Sequence, residues 1–272
     1  QRDLDPARAD PGTSAGHAEL VQTQNGDWWA TFLAVRPYAD DFYNIGRETF
    51  LLPVEWKDGW PIILPAGRNV PFAQRMPALP PEERPALPTS GDFAYVDGFD
   101  GDRLAMQWVG IRTPKTLFHR LDKGDLVLTT AAALGDQSGT PAFLGRRQQH
   151  HVATMRTSLS FKPEQDGDRA GLAALQSDQS YLFFGLTRLG GQDVVALYTR
   201  AKGEERLITS APVDNRGPMT LTLRADGGRM AFDYAGAGGM GTLVSDLDAR
   251  FLSTHEAGGF VGTVVGPYVW TH

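Results

Sequence analysis

An all-β fold is predicted by three features of this 272-residue sequence. Apolar residues recur with period two through stretch after stretch. Gly, Asn, Asp and Pro interrupt these stretches at short intervals. Convincing 3.6-residue amphipathic windows are absent. Period two suits a strand because successive side chains point to opposite faces of a sheet.

Taken in order, the first strong element is the run in which Trp28, Ala30, Phe32 and Ala34 alternate with Trp29, Thr31, Leu33 and Val35. Asn25-Gly26 before it reads as a hairpin turn of type I′, which needs positive φ at both central residues. Lys57-Asp58-Gly59 before Trp60 is a second turn of similar chemistry. Six prolines between Pro71 and Pro88, with Glu82, Glu83 and Arg84, exclude a central strand and predict a stiff connector over 71–91. Beyond it, Ala153, Met155, Thr157, Leu159 and Phe161 take one face of a strand. Met219, Leu221 and Leu223 do the same against Thr220, Thr222 and Arg224. About a dozen strand candidates in the stretch 92–272 predict a two-sheet sandwich. The part before the connector holds about four strands. One sheet of that size cannot bury both faces, so it reads as the end of something larger.

Composition narrows the function. Lys plus Arg number 26 against 32 Asp plus Glu, a formal charge of −6, which offers no basic footprint for nucleic acid. The absence of cysteine excludes a disulfide framework, thiol catalysis and Cys-based zinc sites, and leaves the compartment open between cytoplasm and the periplasmic or extracellular space. Apolar runs of about 18 residues are missing, so no membrane-spanning helix is expected. The chain starts at Gln1 rather than Met, and Gln1–Ser14 is polar without the apolar core of a signal peptide. The expectation is a processed product or a part of a longer polypeptide.

Several runs then occur in a telling order. Gly16-His17-Ala18-Glu19 is followed by Asn25-Gly26-Asp27-Trp28-Trp29, Arg36-Pro37, Gly46-Arg47-Glu48-Thr49-Phe50 and Glu55-Trp56-Lys57-Asp58-Gly59-Trp60-Pro61. This succession resembles the last third of the five-bladed β-propeller of glycoside hydrolase family 43, the β-xylosidases and α-L-arabinofuranosidases. Phe99-Asp100-Gly101-Asp102, Leu144-Gly145-Arg146-Arg147-Gln148, Ala170-Gly171-Leu172 and Ala257-Gly258-Gly259-Phe260-Val261-Gly262 resemble the concanavalin-like sandwich that follows it. The resemblance implies the last propeller blades over 1–70, a linker over 71–91 and the sandwich over 92–272.

The resemblance further implies an inverting hydrolase of terminal β-D-xylosyl or α-L-arabinofuranosyl residues in plant hemicellulose oligosaccharides. Such an enzyme needs an acid and a base about 6.5–9.5 Å apart, so that water fits beside the anomeric carbon. In the family these groups and a third, pKa-tuning carboxylate lie on the first three blades. No Asp or Glu of this chain matches them, so no catalytic residue is assigned and the chain alone is expected to be inactive. The missing blades, on the same or another polypeptide, are the implied partner.

Four residues are carried over as candidates. His17 matches the histidine at the propeller centre that reaches a cation, implied to be Ca²⁺, or its water shell; a buried histidine satisfied by carbonyls is the alternative. Arg47 matches the arginine that hydrogen-bonds sugar hydroxyls, and an ion pair with Glu48 or an Asp competes with that role. His255 and Glu256, in the loop Ser253-Thr254-His255-Glu256, are the candidate rim contacts of the sandwich.

Other side chains read as structural. Trp28, Trp29, Trp56 and Trp60 are expected in the core between blades, although indole faces also stack on sugars. His150-His151 should point to opposite faces of a strand and chelate poorly. Asp97, Asp100 and Asp102 fit a calcium site or an Asp/Gly-rich turn equally well. Gly236–Gly241 is no phosphate loop, because no helix is expected after it. The rival to a hydrolase fragment is a non-catalytic, lectin-like carbohydrate-binding sandwich.

Overall fold

Along Trp28–Val35, Ala30, Phe32 and Ala34 are buried together, and Trp29 and Val35 are buried as well. This strand is the second of four in an antiparallel meander, β1 (Thr13–Gln22), β2 (Trp28–Val35), β3 (Glu48–Lys57) and β4 (Trp60–Ile62), ordered β1-β2-β3-β4. A four-stranded meander is the repeating unit of a propeller. The computed structural model describes residues 12–83, 91–136 and 138–272. Residues 1–11 of the expected propeller part, and 84–90 of the expected connector, lie outside the described residues. By internal contacts one unit comprises Gln1–Asp40 with Arg47–Asp97, and the other Asp41–Gly46 with Gly98–His272.

In the first unit Phe32, Ala34, Leu52 and Val70 form a small core, with Phe50, Ile63 and Leu64 packed against it. Both expected turns are present, and the type I′ chemistry holds at the second. Lys57 pairs with Trp60, and Asp58 (φ 51°) and Gly59 (φ 80°) supply the two positive φ angles of a two-residue type I′ turn. The β1–β2 connection is longer, since Gln22 pairs with Trp28 and the Thr23 amide donates to the Asp27 carbonyl at 2.8 Å. Only Gly26 of the Asn25-Gly26 pair has positive φ there (88°), so the type I′ expectation is corrected at this turn. The Asn25 side chain instead donates to the Ala78 carbonyl.

The tryptophans also depart from expectation. Trp29 is buried at 8% exposure, Trp28 is half-buried, but Trp56 is 48% and Trp60 73% exposed. Trp56 and Trp60 stand at the β3–β4 tip, beyond the apolar cluster, so they are not core residues here. Trp28 meets Trp56 edge-on at 5.4 Å between ring centroids.

The second unit opens with a small hairpin, β5 (His119–Asp122) and β6 (Asp125–Leu128), and two short strands, β7 (Ala142–Phe143) and β8 (Arg146–Arg147). The long strands follow: β9 (Val152–Leu159), β10 (Arg169–Ser177), β11 (Ser180–Leu189), β12 (Gln192–Ala201), β13 (Glu204–Pro212), β14 (Met219–Asp226), β15 (Arg229–Gly236), β16 (Gly239–Asp248) and β17 (Val264–Trp270). One sheet runs β13-β12-β11-β10-β17-β7, with β8 also on β17, and the other runs β16-β15-β14-β9. Gly236–Gly241 forms the β15–β16 hairpin, with Gly236 paired to Gly239. Inside the sandwich, Leu182, Phe184, Leu186, Val195 and Leu197 meet Met219, Leu221, Leu223 and Phe232.

The larger sheet is buried on both faces. Phe183, Tyr198 and Tyr268 point the other way and pack with Leu134 and Ile111, from the chain between β4 and β9. This explains why Tyr181–Leu186 is an apolar run rather than an alternation. One α-helix of four residues, α1 (Thr254–Ala257), occurs among the described residues, just after a 3₁₀ turn at Arg250–Leu252. No helix there is long and apolar enough to cross a membrane.

Candidate functional site

His17 lies in β1, where the pairing with β2 is interrupted twice, between Thr13 and Gly16 and between Gly16 and Glu19. Ser14 and His17 both have φ of 53°, a left-handed conformation uncommon outside glycine. Bulges of this kind re-aim side chains and concentrate near functional sites. The histidine is exposed in this chain.

Arg47 immediately precedes β3 and is exposed. Strands β1 and β3 flank β2, so His17 and Arg47 lie toward one end of a single sheet. Strand spacing and rise put their backbones roughly 10–15 Å apart.

Glu48, the nearest competitor for Arg47, is held by another arginine. Arg36 Nε donates to Glu48 Oε2 at 2.7 Å and Arg36 Nη2 to Oε1 at 2.8 Å. The hydrogen bonds to Glu48 raise the Arg36 pKa above its ordinary value, against the opposing effect of burial. Arg36 also lies over the Phe72 ring, 5.3 Å from its centroid. In the sequence Arg36 stands only in the Arg36-Pro37 run, and nothing local reveals its partner twelve positions away.

A cation needs several oxygen or imidazole ligands converging on one point. No group of three or more His, Asp or Glu side chains converges among the described residues. His17 alone therefore fits as one ligand, or as the holder of a bound water, and does not make a complete cation site. Tyr95 donates to Asp97 at 3.1 Å, and Asp100 lines an open surface depression beside β5 and β6. His150 and His151 sit in the loop before β9, not within a strand as expected.

His255 and Glu256 belong to α1 in the other unit. Ser253 caps this helix, accepting from the His255 amide at 3.3 Å, and its hydroxyl also accepts from the Tyr43 amide at 2.9 Å. The His255 ring packs 4.9 Å from the Phe42 ring, and its Nδ1 is 3.6 Å from Asp41. Glu256 stands 3.4 Å from Lys202. The segment 41–46 is tied to this region, since Thr263 donates to the Asn44 carbonyl at 2.8 Å and buried Asn44 donates to the Ala249 carbonyl at 3.0 Å. Past the helix, Phe260 presents an aromatic ring at 71% exposure. The Gly258-Gly259 doublet marks that bend in the sequence, but nothing local shows that the ring next to it is exposed.

Comparison with known proteins accounts for both units. Residues 96–272 match the family described as the beta xylosidase C-terminal concanavalin A-like domain. Residues 3–61 match glycosyl hydrolases family 43. A non-reducing end α-L-arabinofuranosidase of Bacteroides ovatus, BoGH43B, is 30% identical over 261 residues, covering 95% of this chain and 48% of that protein. A xylosidase/arabinosidase of Butyrivibrio fibrisolvens is 28% identical over 263 residues, covering 95% and 49%. Among solved structures, the GH43 protein BlXynB of Bacillus licheniformis aligns with a TM-score of 0.85 at 30% identity, over 98% of this chain and 51% of that one. The chain thus spans about half the length of these relatives.

Proposed function

Because the chain belongs to glycosyl hydrolases family 43, with its β-xylosidase C-terminal concanavalin A-like domain, we propose that it is the C-terminal part of an inverting glycoside hydrolase. The whole protein removes terminal β-D-xylosyl or α-L-arabinofuranosyl residues from plant hemicellulose oligosaccharides. The observation that carries this reading is the order of parts: a single four-stranded blade precedes a two-sheet sandwich, and the two match successive portions of one enzyme family.

Within that enzyme Arg47 donates to sugar hydroxyls. A guanidinium suits adjacent hydroxyls because its donors are fixed in one plane. Arg36 fixes the neighbouring Glu48 at the start of β3 through two hydrogen bonds. His17 contributes one imidazole toward a cation or its water at the propeller centre, with the other ligands supplied from outside this chain. His255 and Glu256 contribute to the substrate rim. The acid, the base and the carboxylate that tunes the acid come from the preceding blades.

The test is hydrolysis of nitrophenyl β-D-xyloside and α-L-arabinofuranoside by this chain, with and without the preceding blades. Turnover with the blades and none without them is the expected result, with the anomeric configuration inverted by NMR. Hydrolysis by the chain alone overturns the assignment of the carboxylates. Inactivity of the assembled protein on both substrates overturns the proposed activity.

A further inference from the structure

The outer face of the larger sheet holds a cleft of about 380 Å³ that nothing above uses. It is lined by five strands and by the turn Ala133–Asp136. Sheet register sets its polar row: Tyr181 on β11 stands opposite Arg200 on β12, which stands opposite Glu205 on β13. Arg169 on β10 and Trp270 on β17 are themselves paired and close the cleft from the other side.

Glu205 does not engage its cross-strand neighbour. Its Oε1 accepts from Arg169 Nη1 at 2.8 Å and its Oε2 from the Tyr181 hydroxyl at 2.6 Å. Arg169 is further fixed by the Tyr198 ring, 4.0 Å beneath its guanidinium. Arg200, by contrast, has no carboxylate within ion-pair distance among the described residues, although it lines the cleft beside the Tyr181 ring. The Nε atoms of both arginines are cut off from solvent and lack a hydrogen-bond partner. Shielding such donors is costly unless the groups that hold them do something else. A sheet face meant only for packing would carry apolar side chains here.

The chemistry of the cleft selects a ligand. Two guanidinium groups face two carboxylates, Glu205 and Asp136, so the charges balance and an anion gains little. Asp136 stays ionised, since the Ser138 amide and hydroxyl and the Gly139 amide hold its pKa below the ordinary value. Planar donors, carboxylate acceptors and the half-buried Trp270 ring together suit a ring with hydroxyls at its edge and C–H groups on its face. The volume is near the lower end of small-molecule sites, about 300–1,000 Å³, which suits a mono- or disaccharide better than a polymer chain.

We propose that this cleft is a non-catalytic site for a neutral saccharide, in which Arg200 and Glu205 hold sugar hydroxyls and Trp270 supports the ring. The assignment to pentose sugars rests on the hydrolase reading; the site itself rests on the sandwich alone. Binding is therefore measured without turnover, in an Arg47→Ala background that silences the other expected sugar contact. The full chain is titrated calorimetrically with xylobiose, arabinose, cellobiose and glucuronate. Saturable binding of xylobiose or arabinose is expected, weaker by about tenfold in Arg200→Gln and in Glu205→Gln. Unfolding curves check that both variants fold; Tyr181→Phe, which deletes one hydroxyl only, replaces either that does not and is expected to weaken binding as well. Preference for cellobiose keeps the site and overturns its pentose assignment. No saturable saccharide binding, binding unchanged by these substitutions, or tighter binding of glucuronate overturns the proposal. None of these outcomes bears on whether the assembled protein hydrolyses xylosides.

Discussion

Arg36 grips Glu48 through two parallel hydrogen bonds, and both side chains are about one-quarter exposed. A planar fork meeting a carboxylate in partial shelter from water is stronger than an exposed ion pair, which contributes about 0–1 kcal/mol. The pair joins the end of β2 to the first residue of β3, next to Arg47.

Arg36→Ala is therefore expected to lower stability by about 1–2 kcal/mol, read from the urea midpoint. Arg36→Lys keeps the charge without the fork and should recover only part of the loss. Full recovery by lysine would show that the charge matters and the geometry does not.

Gly171 on β10 is paired with Gly185 on β11. A Cβ added at Gly171 would come within 2.3 Å of the Phe184 carbonyl oxygen and 2.6 Å of the Gly185 Cα. Both obstacles are backbone at the centre of the larger sheet, and neither can swing aside. Gly171→Ala should thus cost about 1–3 kcal/mol or more, through forced separation of the two strands. Gly217→Ala is the comparison, because no atom lies within 4 Å of the added group. Equal denaturation midpoints for the two variants would refute this account of the Ala170-Gly171-Leu172 run.

These cases show which features a sequence displays. Met219, Leu221 and Leu223 are legible as one face because period two is a local property, and all three are buried at 1% or less. Asp58-Gly59 is legible as a tight turn for the same reason. Trp56 and Trp60 mislead, because alternation reports a strand face and not whether anything covers it. The attachment of segment 41–46 to residues 249–263 is invisible, since it depends on hydrogen bonds across some two hundred positions. The Arg200–Glu205 cleft is hidden likewise. Its residues come from five strands and one turn, and only the sheet register assembles them.

Asp168 provides a test by pH. Burial alone would raise its pKa, but the amides of Gln165, His272 and Glu164 and the His272 ring outweigh it and bring the value to about 2. Two of these bonds, from Glu164 and Gln165, measure 2.9 Å, and the His272 amide and Nδ1 stand at 3.1 and 3.2 Å. A folded pKa below the unfolded value of about 3.9 stabilises the protein above that value. The contribution is lost as pH falls toward 2. Asp168→Asn should therefore lie furthest below the wild type in melting temperature near pH 6, with the gap closing as pH drops through 4 to 2.5. A gap that stays constant or widens on acidification would show that the carboxylate charge is not the stabilising element.

Arg47 and His17 are expected to fail in different ways in the assembled enzyme. A charge-assisted bond from Arg47 to a sugar hydroxyl is worth about 1.5–3 kcal/mol, so Arg47→Ala should lower kcat/KM by about ten- to a hundredfold if the bond is made in the transition state. Arg47→Lys should recover less than half of that free energy, because an ammonium cannot reproduce the planar pair of donors. The melting temperature should hardly move, since Arg47 is exposed and precedes its strand. His17→Ala should instead lower kcat and the melting temperature together, through loss of the cation or water that the imidazole helps to hold. A chelator should then lower the melting temperature of the wild type and leave that of His17→Ala nearly unchanged. An Arg47→Ala enzyme with unaltered kcat/KM on both nitrophenyl glycosides removes the sugar contact from this site. Equal chelator sensitivity in wild type and His17→Ala removes the histidine from the cation.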